Sequence, residues 1–204
     1  MGPRRRGVDA RGVWRNWAGN TVARPAHVVA PASTREVVRA ARRAAECGLT
    51  VRAVGTGHSF SDVAATDGVL LLPHRLVGIR AVDRAAGTVT VAAGTPLWWL
   101  NRKLAAAGLS LTNMGDIMAQ TVAGAVSTGT HGTGRSSGSL AAQVVGLELV
   151  LADGTVLRCS ASEHPEVFRA ARVGLGALGV VTKVTLAVEP LFLLRAREEG
   201  MRLD

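Results

Sequence analysis

The segment "RAVGTGHSFSD" (Arg52–Asp62) ends an apolar run in two glycines that frame Thr56, and it then presents His58 and Ser59. Glycine serves where a chain turns left-handed or must come close to a ligand, so a histidine placed there is either an accident of the turn or the group that the turn presents. Immediately upstream, "PASTREVVRAARRAAECG" carries both ends of a helix. Ser33 followed by Glu36 forms a capping box, Val37, Val38, Ala41, Ala44 and Ala45 share a face, and Gly48 stops it. "LTVRAV" then reads as a strand, so the first unit is helix, strand, glycine turn.

Beyond that turn, "GVLLLP" (68–73) reads as a short buried strand, and "AVDRAAGTVTVAAG" as two strands joined around Ala85–Gly87. "TPLWWLNRKLAAAGL" predicts a helix capped by Thr95, with Pro96 in its first turn and Gly108 at its end. "QVVGLELVLADGTVLRCS" is a hairpin turning at Asp153-Gly154, "HPEVFRAARVG" a short helix, and "GVVTKVTLAVEP" a strand closed by Pro190. Adjacent hairpins argue against a purely parallel sheet, and the expected class is α+β. The expected organisation is a basic tail over residues 1–13, a domain over 14–194 with subdomains of about 14–90 and 91–194, and a tail over 195–204.

Ten arginines against Asp9 and Glu36 put eight of the nine net positive charges in residues 1–43. A nucleic-acid domain spreads its basic residues over a face and interleaves aromatics. Here aromatics are 3% and tyrosine is absent, so no nucleic-acid partner is expected. The longest nearly uninterrupted apolar run, "VGLGALGVV" (173–181), is too short to span a bilayer. A cytoplasmic location follows as the expectation, with Arg4–Arg6 as a point of peripheral contact with an anionic membrane. Cys47 and Cys159 lie outside any metal spacing and read as free buried thiols.

Several chemistries fail on spacing. The dinucleotide fingerprint begins correctly with Gly55-Thr56-Gly57, but Phe60 occupies the third glycine's place. His58, Ser59 and Asp62 are too close in sequence for a hydrolase triad, and "AVSTG" around Ser127 lacks the first glycine of a nucleophile elbow. The five histidines, His27, His58, His74, His131 and His164, are scattered and form no ligand pair. A second glycine-rich segment, "GDIMAQTVAGAVSTGTHGTG" (Gly115–Gly134), suits a backbone lying against a flat or phosphorylated ligand, with amides and hydroxyls as donors.

"NWAGN" (Asn16–Asn20), "RAVGTGHSFSD", the Gly115–Gly134 segment and "GLGALGVVTKVTL" (Gly174–Leu186) occur in this order. With them the chain resembles the FAD-binding (PCMH-type) domain of vanillyl-alcohol-oxidase-like flavoproteins. Within these it is most similar to aldonolactone oxidases and dehydrogenases acting on L-gulono-1,4-lactone or D-arabinono-1,4-lactone; alditol (xylitol) oxidases come next. The resemblance implies a two-subdomain α+β fold with FAD between the subdomains. Its pyrophosphate would lie on the segment Ala53, Val54, Gly55, Thr56, Gly57, His58 and Ser59. Asp116, Thr121, Gly124 and Thr128 match cofactor-contacting positions, and Val180 or Val181 would meet the adenine end through the backbone. His58 matches the histidine that carries the flavin covalently in related enzymes, and His131 would support the second loop. The implied activity is oxidation of a sugar lactone or polyol by hydride transfer to FAD, with oxygen or another acceptor reoxidising it. No His-Trp-Gly-Lys string occurs in the 204 residues, so the substrate domain is expected to be absent and no catalytic residue is assigned. A flavin-binding module without turnover is the alternative expectation.

Overall fold

Strands β1 (Trp14–Arg15) and β2 (Val22–Ala23) form a short antiparallel pair at the start of the computed structural model, which describes residues 7–195, 197, 199 and 200. Strand β3 (His27–Val29) leads into helix α1 (Thr34–Glu46), followed by β4 (Val51–Ala53) and β5 (Val69–Leu71). These three strands make a parallel sheet in the order β3-β5-β4. A single 3-10 turn (Pro73–Arg75) connects to β6 (Ile79–Asp83) and β7 (Thr88–Ala92). Then come α2 (Leu97–Ala106), β8 (Leu109–Ser110), α3 (Val122–Ser127), β9 (Val144–Val150), β10 (Val156–Ser160), α4 (Pro165–Ala171), β11 (Val180–Ala187) and β12 (Glu189–Pro190). A five-stranded antiparallel sheet runs β10-β9-β11-β7-β6, and β8 pairs with β12. Helices and sheets are mixed as the α+β class requires.

Burial explains both sheets. Central β5 is apolar at every position because both its faces are covered. Val69 and Leu71 pack with Val37, Ala41 and Ala44 of α1, whereas Leu70 and Leu72 pack with Trp14 and Val54. In the five-stranded sheet, Leu147, Leu149, Val184, Leu186, Val89 and Val91 join residues of α2, α3 and α4 in the main core. The opposite face is polar, and there Thr90 and Thr185 share a hydroxyl hydrogen bond of 2.9 Å across neighbouring strands. Val150, at the end of β9, packs in the α1 core and brings the two sheets together.

Glu148 fastens this junction. Its side chain, 6% exposed, accepts hydrogen bonds from Thr34 Oγ1 at the start of α1 (2.9 Å), Thr182 Oγ1 (2.9 Å) and Lys183 Nζ (2.9 Å). Arg158 Nε approaches at 3.5 Å. Burial pushes the Glu148 carboxyl up, but the donors Lys183, Thr182 and Thr34 together outweigh it and hold the group below its ordinary range.

Several local expectations change. Ser33 Oγ does accept from the Glu36 N–H (3.2 Å), but Glu36 Oε2 accepts from Ala32 N–H (2.9 Å), one residue before the cap. Thr95 does not cap α2, which follows Pro96 without a side-chain cap. Its hydroxyl instead donates to Ala92 O (2.6 Å) and accepts from Gly78 N–H (2.9 Å). Residues 8–13 are no free tail, since Val8 is buried and bridges to Trp14 around a turn in which Asp9 Oδ1 accepts from Arg11 and Val13 N–H. Residue 90, the expected subdomain break, lies inside β7, whose two pairings stay within the five-stranded sheet. Both cysteines are free, yet only Cys159 is buried; Cys47 is exposed. Arg4–Arg6 lie outside the described residues. Among those described, no helix is long and apolar enough to cross a membrane.

Candidate functional site: a cleft between two glycine-rich segments

The last ladder bond of β4 runs from Val54 N–H to Leu71 O (3.0 Å). Beyond it, the main-chain N–H groups of Gly55, Thr56, Gly57, His58 and Ser59 donate to no described residue. Several nearby carbonyls are tied back by the Asn16–Asn20 loop. Trp17 N–H donates to Gly57 O (2.8 Å), Asn16 Nδ2 to Ser59 O (2.9 Å) and Asn20 Nδ2 to Phe60 O (2.8 Å). Asn16 is buried, and its Oδ1 accepts from Thr21 N–H (3.1 Å), so the brace is itself fixed. A trans peptide sets N–H opposite C=O. Drawing the Gly57 carbonyl toward Trp17 therefore turns the His58 N–H away from it. Consecutive unpaired N–H groups form a concave cradle for an anion. Gly57 sits at φ +71°, in the left-handed region.

The second segment is not all loop. Its centre is α3, capped by Thr121, whose Oγ1 accepts from Gly124 N–H (3.3 Å), while Thr128 Oγ1 donates back to Gly124 O (2.9 Å). The two segments meet where Gly55 faces Thr121: a Cβ on Gly55 would overlap Thr121 Oγ1. A third wall is the turn from Leu175 to Gly179, anchored by Leu175 N–H donating to Ser127 O (3.3 Å). Leu175 itself holds φ +50°, a strained conformation for a branched side chain.

These walls enclose a cavity of about 510 Å³, within the roughly 300–1,000 Å³ of small-molecule sites. Ala53, Val54, Gly55, Thr56, Gly57, His58 and Ser59 line it on one side, Thr121, Gly124 and Thr128 on another, and Val180 and Val181 on a third. Asp116 is exposed and stands outside the lining. His131 is also outside and exposed, its Nδ1 2.8 Å from Gly132 O. Gln120, Ser127 and the Leu175–Gly179 turn line the cavity and were not expected; the glycine pattern of "GLGALG" was the available signal for the turn. The His58 ring stacks on Trp17 at 5.4 Å between centroids and 19° between planes, and Trp17 meets Phe60 edge-on at 6.4 Å.

A second groove, about 360 Å³, crosses the polar face of the five-stranded sheet. Its cations are engaged: Lys183 and Arg158 by Glu148, and Arg80 through Nη2 to Val77 O (3.3 Å). Among the described residues, no three His, Cys, Asp or Glu side chains converge to hold a metal ion.

Unpaired backbone donors, a wall that tolerates no Cβ at Gly55 and a cavity of this size fit a phosphate-bearing cofactor, which defines a nucleotide-cofactor-binding domain. Residues 25–160 match the FAD binding domain family, and the chain belongs to it, with FAD as its cofactor. Over 191 residues it is 44% identical to an L-gulono-1,4-lactone dehydrogenase of Mycobacterium tuberculosis, covering 94% of this chain and 44% of that protein. It is 41% identical over 207 residues to a D-arabinono-1,4-lactone oxidase of Eremothecium gossypii, with coverages of 97% and 39%. It is 43% identical over 179 residues to the L-gulonolactone oxidase of Mus musculus, with coverages of 88% and 41%. The chain thus spans about two fifths of the length of these relatives.

Proposed function

We propose that this chain is the flavin-binding half of an FAD-dependent oxidoreductase that oxidises a sugar lactone of the L-gulono-1,4-lactone or D-arabinono-1,4-lactone type. The observation that carries the reading is the row of unpaired N–H groups from Gly55 to Ser59, in a segment that lines a cleft together with residues of the Thr121–Thr128 segment. The relatives' names supply the substrate class. FAD, when bound, supplies the hydride acceptor for a carbon–hydrogen bond of the substrate.

Within this chain, the Gly55–Ser59 amides would hold the pyrophosphate by charge-assisted hydrogen bonds. Thr121 and Gly124 keep the opposite wall small, and the Val180–Val181 backbone meets the adenine end. His58 would be the residue that carries the flavin covalently through one imidazole nitrogen, the bond replacing a C–H bond at the 8α carbon with loss of a proton and passage of two electrons through the flavin to the electron acceptor. The three-stranded and five-stranded sheets act as two subdomains with the cofactor between them. A sugar lactone or polyol and an electron acceptor, oxygen or another, are the small-molecule partners of the full machinery.

A flavin-binding module without turnover is the second reading. One experiment separates the two. The purified, flavin-loaded chain, alone and joined to the C-terminal part of the L-gulono-1,4-lactone dehydrogenase that it does not cover, is held without oxygen, and L-gulono-1,4-lactone, D-arabinono-1,4-lactone or xylitol is added while the flavin absorbance is followed. Bleaching by a lactone supports the oxidoreductase. A bound flavin that no substrate bleaches supports the module, and bleaching by xylitol alone moves the substrate class to polyols.

A further inference from the structure

We infer that Gln120 is a cofactor-positioning residue, whose side-chain oxygen accepts a hydrogen bond from an N–H or O–H of bound FAD. Gln120 Oε1 is the one buried side-chain nitrogen or oxygen, among the described residues, that has no hydrogen-bond partner. Two other polar groups of the residue are engaged. Nε2 donates to Thr130 Oγ1 (3.1 Å), and the main-chain oxygen accepts from Leu97 N–H (2.9 Å). The side chain is therefore anchored through Nε2, and the residue lines the main cavity with its Oε1 unsatisfied. Native proteins leave few buried polar atoms unpaired, and an orphan in a cleft is accounted for by a ligand that completes it. Being an amide oxygen, it takes a donor, so it addresses a part of FAD that the Gly55–Ser59 amides do not: these select acceptors, whereas Gln120 selects an N–H or O–H.

This inference rests on the flavin reading of the cavity, and its test keeps the two apart. Gln120→Leu removes the acceptor at nearly constant volume, and Gln120→Glu keeps one. All proteins carry His58→Ala so that FAD binds reversibly, and for each apoprotein, the otherwise unchanged chain serving as wild type, the melting temperature and the FAD dissociation constant are measured by thermal denaturation and flavin-fluorescence titration. Gln120→Leu is expected to weaken FAD about 10-fold while its apoprotein melts no lower than wild type, because deleting an unpaired buried acceptor offsets the lost Thr130 bond. A purely structural Gln120 would lower both together, and that outcome overturns the inference. Gln120→Glu is expected to stay within a few-fold of wild type; a loss equal to that of leucine shows that the group acts as a donor and overturns the acceptor role. Riboflavin and ADP locate the contact: weakening of the first alone assigns it to the flavin half, and of the second alone to the adenosine half. Weakening of neither refutes it. Unchanged FAD affinity in Gln120→Leu sinks the inference alone, whereas wild-type protein that binds no FAD sinks the flavin reading with it.

Discussion

Substituting Gly55 by alanine asks whether the two cofactor-binding segments really touch. The Gly55 backbone accepts an alanine conformationally, since its φ lies outside the left-handed region, so the effect is steric. The added Cβ would sit 3.4 Å from Thr121 Cβ and 3.5 Å from its Cγ2, both ordinary distances, but would overlap Oγ1. Relief by turning the Thr121 side chain forfeits its cap on Gly124, worth about 1 kcal/mol and at most about 2. Relief by moving the segments apart costs about 1–3 kcal/mol, as overpacking does. Either way Gly55→Ala should lose about 1–3 kcal/mol, which for a chain of this size is about 3–10 °C in Tm. Adding Thr121→Ala removes the obstructing oxygen. The double variant should then be about as stable as Thr121→Ala alone, a coupling of at least about 1 kcal/mol in a double-mutant cycle. Denaturant and thermal melts of the four proteins measure it. A Gly55→Ala protein that melts with wild type, or two losses that simply add, would refute the contact.

Other consequences follow from the same geometry. Glu148 has a folded-state pKa below its unfolded value near 4.3, so its stabilisation is complete above that pH and is lost as the pH falls toward the folded value. Glu148→Gln should cost about 1–3 kcal/mol at pH 7 and show a flatter decline below about pH 4.5 than wild type, by urea titration at both values. Trp17 is 68% exposed, so Trp17→Ala should change stability little. It should nevertheless slow retention of acid-stable flavin about 3- to 10-fold through loss of the His58 stack, with Trp17→Phe recovering most of the rate in a precipitation time course. His58→Ala should abolish acid-stable flavin while leaving dialysable FAD. Burial, and secondarily the charge of Glu163, raises the Cys159 thiol pKa, and Cys47 is exposed. A thiol reagent should therefore label Cys47 at once and Cys159 only on unfolding, as peptide mass analysis reports.

What was legible in the sequence was local. The apolar β5 run, the Asp153-Gly154 hairpin and α1 with its Ser33 cap depend on neighbours a few residues away, and the structure contains each. That residue 90 falls inside a strand has a long-range cause: Thr90 pairs with Thr185, and no local pattern announces a partner so distant. Helix α3 was hidden for a related reason. Its Val, Gly and Ser residues have weak intrinsic preference, but Val122, Ala125 and Val126 are almost wholly buried, so packing imposes the helix. The twelve expected lining positions from Ala53 to Val181 converge because two of their segments are glycine-marked and the third is an apolar strand start. Asp116 stands outside, and nothing local separates it from its neighbours. Gln120 and Glu148 escaped notice because a polar side chain gains meaning only from partners that folding brings from elsewhere, such as Thr130 for one and Thr34 for the other.

The central claim is that main-chain donors between Gly55 and Ser59 hold the cofactor. Hydrogen–deuterium exchange of the folded chain with and without FAD addresses those very amides. Slower exchange in peptides covering residues 53–60 and 174–181, with β10 unchanged, is the result the account requires. FAD binding that leaves the 53–60 amides exchanging freely while protecting the groove around Arg80, Arg158 and Lys183 would contradict it.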